Sequence, residues 1–462
     1  MSRSASRRRT PTAVLLAVAC GLAGCSFVPT FESPSVPTQP AWATSSDAGA
    51  IPVSADWWNH FASTELDKLM AEALAANQDI AAAIARIDQA RANTRIAGAP
   101  LLPSVEGTGS LSGTRTRQNS RTRGSSSGQA VLTASYELDL WGKNAAALQS
   151  AKEALNASAF DKEALDLVVQ SEVASTYFDA VALKQRLAIA RENLNAARQV
   201  LKLVQVQMAQ GAATALDLAQ QRTAVATFEA QIPVLEQQLE ADRTSLAILA
   251  GRAPGDTTVE TAKLDTLTLP SIAAGQPSDL LERRPDIAEA EANLKAANAN
   301  IGVARAAFYP SITLSASAAL AGLATSGTST AASLAAGLVQ PIFEGGQLEG
   351  QLDLTKAQKR ELVATYRQTV LTSFKEVEDA LSTVKTSASQ ARSLQTAADQ
   401  AREAFRLAQL SYSAGATDFL TVLDAQRTLL SNEDSLVQAE LDRYTAATNL
   451  FKALGGGWSK GA

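Results

Sequence analysis

The sequence predicts a mixed α and β membrane protein: long α-helices interrupted by two β-hairpins, a pattern that occurs twice and whose strands close a transmembrane barrel only between copies of the chain. Three observations carry this. Stretches rich in Ala, Leu, Gln, Glu, Lys and Arg cover residues 64–99, 144–209, 213–250, 281–308, 347–413 and 417–453 with little Gly or Pro inside them, a composition that favours helix. Two stretches of alternating apolar and polar residues interrupt them, from Pro103 to "DLWG" and from Pro310 to "QPIF". The sequence from Asn77 reappears from Arg284, and that from Gly211 reappears from Gly415.

Each element follows from its residues. A helix of roughly 65 residues rises about 100 Å at 1.5 Å per residue. Such lengths do not fit a compact domain and call for coiled coils or an elongated bundle. In the first interruption Val105, Gly107, Gly109 and Leu111 alternate with Glu106, Thr108, Ser110 and Ser112; after a Ser/Arg/Gly-rich turn, Ala130, Leu132, Ala134, Tyr136 and Leu138 resume the alternation. In the second, Ile312, Leu314, Ala316, Ala318 and Leu320 alternate with polar residues, and Leu334, Ala336 and Leu338 keep the period after a Gly/Thr turn. A period of two marks strands, so each region is a hairpin, with strands of about ten residues, enough to cross a membrane when tilted. Trp141, Phe308, Tyr309 and Phe343 stand at strand ends, where interfacial aromatics belong.

The duplication sets the domain plan. The first repeat spans 53–250 with its hairpin at 104–141, a linker covers 251–277, the second repeat spans 278–458 with its hairpin at 311–343, and 459–462 is a tail. Four strands cannot close a barrel, and open edges cannot stay in lipid, so several chains must assemble. Three copies supply twelve strands.

Residues 1–24 read as a lipoprotein signal peptide: Arg3, Arg7, Arg8 and Arg9 precede "AVLLAVACGLAG", an apolar run too short for a stable membrane anchor. It ends in "LAGC", a lipobox that offers the Cys25 thiol for diacylation. Ser26 follows where an inner-membrane retention signal has aspartate, so the expected address is the outer membrane of a Gram-negative bacterium. Residues 25–52, rich in Pro, Ser, Thr and Ala, suit a lipidated tether. Cys20 leaves with the signal and Cys25 carries lipid, so no disulfide forms.

Loss of the four signal arginines changes 41 bases against 46 acids into 37 against 46, a net charge of −9 that argues against nucleic acid as a partner. One histidine, His60, and no Cys/His cluster argue against a zinc site, and no cofactor motif appears. "GSSSG" at Gly124–Gly128 fits a nucleophile elbow in letters only, since it lies in a hairpin turn without the strand and helix an elbow needs. Asp56 and His60 form no recognisable triad and read as local packing around Trp57 and Trp58. No positive case for an enzyme remains. Arg115, Arg117, Arg121 and Arg123 concentrate positive charge in the first hairpin turn, where they are either solvated or paired with anionic lipid sugars. In "SAGATDFLTVLDAQR", Leu420, Asp424 and Arg427 share one side of a helix, which is either a solvated face with an ordinary i,i+3 ion pair or a functional constellation.

"LLERRPDIAEAEANLKAANANIGVARAAFYPSI", "YELDLWGK", "QPIFEGG", "DFLTVLDAQR" and "NLFKALGGGW" together resemble the signatures of the outer membrane factors, the channel-tunnel lipoproteins of tripartite efflux systems, especially those paired with resistance-nodulation-division transporters. The resemblance covers essentially the whole mature chain. It implies a homotrimer, with a twelve-stranded transmembrane β-barrel continuous with a long periplasmic α-helical barrel and a mixed equatorial belt. It implies a passive exit duct for small toxic solutes or drugs, energised by an inner-membrane transporter and bridged to it by a periplasmic adaptor. The turns at Gly211 and Gly415 fall where the adaptor contacts the tips. Leu420, Asp424 and Arg427 fall at the periplasmic gate, an apolar constriction next to a carboxylate ring restrained by arginine. The first repeat has Gln220 and Gln221 near the corresponding place, so the acid belongs to one repeat only. A duct for protein secretion is the alternative on the same fold, and a periplasmic coiled-coil lipoprotein without a pore is a third reading.

Overall fold

A computed structural model of the chain describes residues 26–37, 39–44, 50–119, 121–255, 257–261, 263–323 and 327–459. Cys25 and the signal peptide lie outside them. In chain order the main elements are α1 (Thr64–Ala76), α2 (Gln78–Gly98), β1 (Ser104–Gln118), β2 (Arg121–Leu138), α3 (Lys143–Ala209), α4 (Ala215–Leu249), α5 (Pro285–Ala306), β3 (Ser311–Leu323), β4 (Gly327–Val339), α6 (Gln347–Ser413) and α7 (Phe419–Ala453). The duplication is visible in lengths: α3 and α6 have 67 residues each, α4 and α7 have 35 each. Corresponding starts and ends, Lys143 with Gln347 and Leu249 with Ala453, lie 204 positions apart.

The expected helix over 64–99 is two helices. Asn77 breaks it with an extended backbone (φ −61°, ψ 131°), and its Oδ1 caps α2 by accepting from Asp79 N and Ile80 N at 2.9 and 3.2 Å. The cap satisfies donors that a helix start leaves free, which is why the chain restarts there.

The contacts divide the chain into two compact units. One contains the sheet, whose strands pair antiparallel in the order β1-β2-β3-β4. The strands have 15, 18, 13 and 13 residues, longer than the ten expected. The excess in the first hairpin is the Ser/Arg/Gly stretch, which is not a turn but continues the ladder to Gln118↔Arg121, with Asn119 in the left-handed region (φ 47°). Register sorts most of the side chains by face, with Val131 and Val339 on the polar side and Thr328 and Thr330 on the apolar side as exceptions. Val105, Leu111, Leu132, Leu138, Leu314, Leu320, Leu334 and Leu338 share one face, while Ser110, Ser112, Ser127, Thr133, Ser315, Ser317 and Ser333 share the other. The apolar face is bare: Leu111 is 92% and Leu334 85% exposed in the isolated chain. At the strand ends Trp141 donates to Pro310 O at 2.7 Å, and the Trp141 and Phe27 rings lie 5.0 and 4.5 Å from that of Tyr309.

The Pro/Ser/Thr/Ala-rich segment near the N-terminus forms no helix or strand in residues 26–37, yet it packs. Asn298 donates to Pro29 O at 2.7 Å, Lys295 stands over the Phe31 ring, and Gly302 lies so close to Val28 that a Cβ there would collide. These contacts all belong to the sheet-bearing unit.

The second unit holds residues 36–85, 160–288 and 368–462. Its aromatic core gathers Trp57, Phe61, Tyr177, Phe178, Tyr444 and Phe451, all buried. Linker residues are tied to it: Tyr444 Oη donates to Leu264 O and Leu267 O at 2.8 and 3.0 Å, and Glu65 accepts from Thr261 N and Oγ1 at 3.1 and 2.7 Å. Burial pushes the hydroxyl of Tyr444 up to about 12, so it remains a donor.

Candidate functional site

Two helical turns and one exposed helix face make up the candidate site. α3 and α6 both end on a glycine in the left-handed region, Gly211 (φ 74°) and Gly415 (φ 72°). In each, a six-residue loop is closed by a backbone bond, from Ala212 N to Gln207 O and from Ala416 N to Ser411 O, both 2.8 Å. Only glycine takes this conformation without strain, and the bond satisfies a carbonyl that the helix end orphans. The following helices start on side-chain caps. Thr214 and Asp217 cap α4 reciprocally, and Asp418 accepts from Thr421 N and Oγ1 at 3.0 and 2.7 Å, which holds the Asp418 carboxyl below its ordinary range.

The four helix ends share one core. Leu194, Val200 and Val204 of α3 pack with Phe228 of α4, Phe405 and Tyr412 of α6, and Phe419, Val422, Leu423 and Leu429 of α7. Cross-helix ion pairs run alongside: Arg186–Asp434 at 2.7 Å, Arg402–Glu433 at 2.8 Å and Arg191–Glu236 at 2.7 Å. Each is half-exposed and contributes ~0.2–1 kcal/mol, so the ladder sets register more than stability.

With Phe419, Val422 and Leu423 turned inwards, Leu420, Asp424 and Arg427 face away from the chain's own core. Leu420 is 60% exposed, and Asp424 and Arg427 are exposed too. Among the described residues, Asp424 and Arg427 form no ion pair with each other, so the i,i+3 spacing alone does not join them. The sequence gives no warning of what lies behind them. Gln426 is 1% exposed, and neither its Nε2 nor its Oε1 has a partner.

Sequence reasoning also missed a pair of joints behind the signature motifs. Asn77 donates through Nδ2 to Leu249 O at 3.0 Å, and Gly251 abuts the carbonyl of Ala76. One repeat later, Arg284 donates through Nη1 to Ala453 O at 3.0 Å, and Gly455 abuts the carbonyl of Arg283. Arg284 adds a fork onto Asp286 (2.9 and 2.7 Å) and a bond to Glu376 (2.7 Å). Burial opposes its charge, but the two carboxylates outweigh burial and raise its pKa above the ordinary arginine value. Thus "LLERRPD" and "NLFKALGGGW" meet in space. The letters mark only the two glycines, one just past each last helix, as places of close approach; they do not say which carbonyl is approached.

The remaining candidates resolve into packing. The His60 ring stacks near Phe451, and Asp56 accepts from Asn59 at 3.1 Å. "GSSSG" is paired strand inside β2. Among the described residues no His/Cys/Asp/Glu group has the arrangement of a metal site. Burial, and then the charge of Asp179, push the Asp242 carboxyl up to about 6.

The comparisons with known proteins bear on the fold and the family. The family described as "Outer membrane efflux protein" matches residues 69–252 and 276–456. The chain is 42% identical to the pyoverdine export outer membrane protein OpmQ of Pseudomonas aeruginosa, over 87% of each chain. It is 35% identical to the toluene efflux pump outer membrane protein TtgC of Pseudomonas putida, over 95% of this chain and 93% of the relative. Among solved structures, the open state of the Neisseria gonorrhoeae MtrE outer membrane channel superposes with a TM-score of 0.84 at 29% identity, covering 94% of this chain and 98% of that one. The Campylobacter jejuni CmeC outer membrane channel gives a TM-score of 0.86 at 25% identity, covering 95% and 96%. That family comprises transport channels and not enzymes. Matched along nearly its whole mature length in sequence and in fold, the chain belongs to the outer membrane efflux protein family.

Proposed function

We propose that three copies of this chain close a twelve-stranded barrel in the outer membrane, with the apolar sheet face towards lipid and the Ser/Thr face lining an aqueous duct. The unpaired edges of β1 and β4 and the bare leucines of the apolar face support this, because neither survives in membrane or water uncovered. Diacylation of Cys25 anchors the chain beside the barrel, and the long helices extend into the periplasm. A periplasmic adaptor contacts the turns at Gly211 and Gly415 and joins the duct to a resistance-nodulation-division transporter. The relatives' names, pyoverdine export and toluene efflux, favour small solutes as cargo.

The observation that carries the gate is the outward triad of α7. Leu420, Asp424 and Arg427 are free to meet their own copies across a threefold axis, where three leucines narrow the duct and three carboxylates repel unless arginine links them between subunits. The corresponding first-repeat residues, Gln220 and Thr223, carry no charge. Single-channel recording in planar bilayers tests both layers of the reading. Asp424→Ala with Arg427→Ala should raise conductance several-fold in trimers that remain intact on native gels, whereas Gln220→Ala with Thr223→Ala should leave it unchanged. Wild-type trimers that never conduct would remove the duct; a conductance unaffected by the first double variant would remove the gate alone.

A further inference from the structure

The sheet carries six charged residues and distributes them unevenly. Glu106 and Glu137 lie near the strand ends closest to the helices, Arg115, Arg117, Arg121 and Arg123 lie at the far end, and β3 and β4 carry no charge. No acid occurs between Glu106 and Glu137. All four arginines are exposed, and among the described residues none has an ion-pair or hydrogen-bond partner for its side chain.

Register divides the four by face. Residues paired across an antiparallel ladder lie on one side of the sheet. The apolar face runs through Val105, Gly107, Gly109 and Leu111 and continues, two residues at a time, to Gly113, Arg115 and Arg117. Arg121 and Arg123 pair with Gln118 and Thr116 and so continue the Ser/Thr face. Along β3 the apolar stripe from Ile312 to Leu320 is eight steps long, on the order of 20 Å along the membrane normal once the strand is tilted. Its upper end is level with Gly109 through the pairs Ala130↔Leu320 and Gly109↔Ala130. Arg115 stands six residues beyond that level and four beyond Leu111, about 14 Å past the last leucine of the same face.

We propose that Arg115 and Arg117 form a phosphate-binding site for the anionic glycolipid of the outer leaflet, lipid A and its core sugars. The inference rests on the barrel reading, which makes this face the lipid-facing one. A guanidinium at the end of a hydrocarbon-facing stripe meets the headgroup layer, lays its stem along the apolar surface and holds a phosphate with two parallel N–H donors. The strand leaves room for that. The cross-strand partner of Arg115 is Gly124, and a Cβ at Gly113 or Gly124 would meet no atom within 4 Å, so nothing of the chain covers the Arg115 head. Arg121 and Arg123, on the other face, are the internal control.

The full-length lipidated trimer, purified in detergent, is titrated with bis-phosphorylated lipid A and with its dephosphorylated form, with bound lipid counted by native mass spectrometry. Arg115→Gln with Arg117→Gln should weaken binding of the phosphorylated lipid on the order of tenfold, down to the level of the dephosphorylated one. Arg121→Gln with Arg123→Gln should leave it within about twofold, and Arg115→Lys with Arg117→Lys should be intermediate, since an ammonium keeps charge without the fork. Equal losses from the two Gln pairs, or equal binding of both lipids to the wild type, would overturn the site. Conductance in a phospholipid bilayer reports separately on the duct, and the Arg115 and Arg117 variants, which lie on the opposite face, should match the wild type there.

Discussion

The two repeats build the same joint with different chemistry. In the first, Asn77 and Gly251 dock the end of α4 against the end of α1, with only a half-exposed Arg252–Glu72 ion pair beside them; in the second, Arg284 and Gly455 dock the end of α7 in the same way, but the buried Arg284 also engages Asp286 and Glu376. The backbone has kept its close approach in both copies, while buried charge is concentrated in one. The tips repeat the lesson: identical glycine turns at Gly211 and Gly415, but Asp424 and Arg427 only in the second repeat. Duplication conserved what sterics demand and left electrostatics free to diverge.

The glycines should be where the repeats behave alike. Gly251 (φ 69°) and Gly455 (φ 87°) are left-handed and each faces a backbone carbonyl that cannot move aside. Val at either position should cost about 4 kcal/mol or more, read as loss of folded protein on extraction and native electrophoresis. A Val tolerated at one glycine and not the other would break the symmetry of the joint.

The polar partners should be where the repeats differ. Arg284→Ala strips donors from Asp286, Glu376 and Ala453 O; because the two carboxylates keep access to water, it should cost about 2–3 kcal/mol. Asn77→Ala removes a cap and one donor, at about 1–2 kcal/mol. Denaturant midpoints of the two variants, measured together, check the ranking. Equal midpoints would mean that the ionic additions of the second repeat contribute nothing.

Asp242 inverts the pattern, since the first repeat holds a half-buried acid where the second has Ala446. Its folded pKa, raised from 3.8 to about 6, exceeds the unfolded one, so the folded chain keeps a proton that the unfolded chain has lost. Stability from this group is therefore present at low pH and is lost as pH rises through that window. Asp242→Asn should gain about 1 kcal/mol at pH 7, after allowance for solvent screening, and flatten the dependence of the melting temperature between pH 4 and pH 6. A melting temperature at pH 7 that falls in the variant would place the carboxylate in a favourable contact instead.

Periodicity made the long helices and the alternating strands legible, because 3.6-residue and two-residue repeats are local properties of the backbone. It failed at two kinds of place. The break at Asn77 is invisible because asparagine inside an Ala/Leu-rich run looks like a surface residue until its amide is seen capping α2 and reaching Leu249. The arginine-rich turn of the first hairpin is strand because its glycines and serines pair across a ladder, an interaction their composition does not announce. The outward placement of Leu420, Asp424 and Arg427 followed from helical spacing, but the unpartnered amide of Gln426 behind them did not.

By itself, then, the sequence determined the long helices, the two hairpins and the duplication, and it set the expectations of a barrel completed by several chains and of the address read in "LAGC". All of these rest on local pattern and on the cost of bare backbone in lipid. Only the tertiary structure decided that the family signatures are joints, that four neighbouring arginines belong to two opposite faces, and that Asp424 and Arg427 leave their own chain unpaired. Those are matters of register and of contacts between residues as far apart as Arg284 and Ala453, and no local pattern encodes which distant carbonyl a side chain will meet.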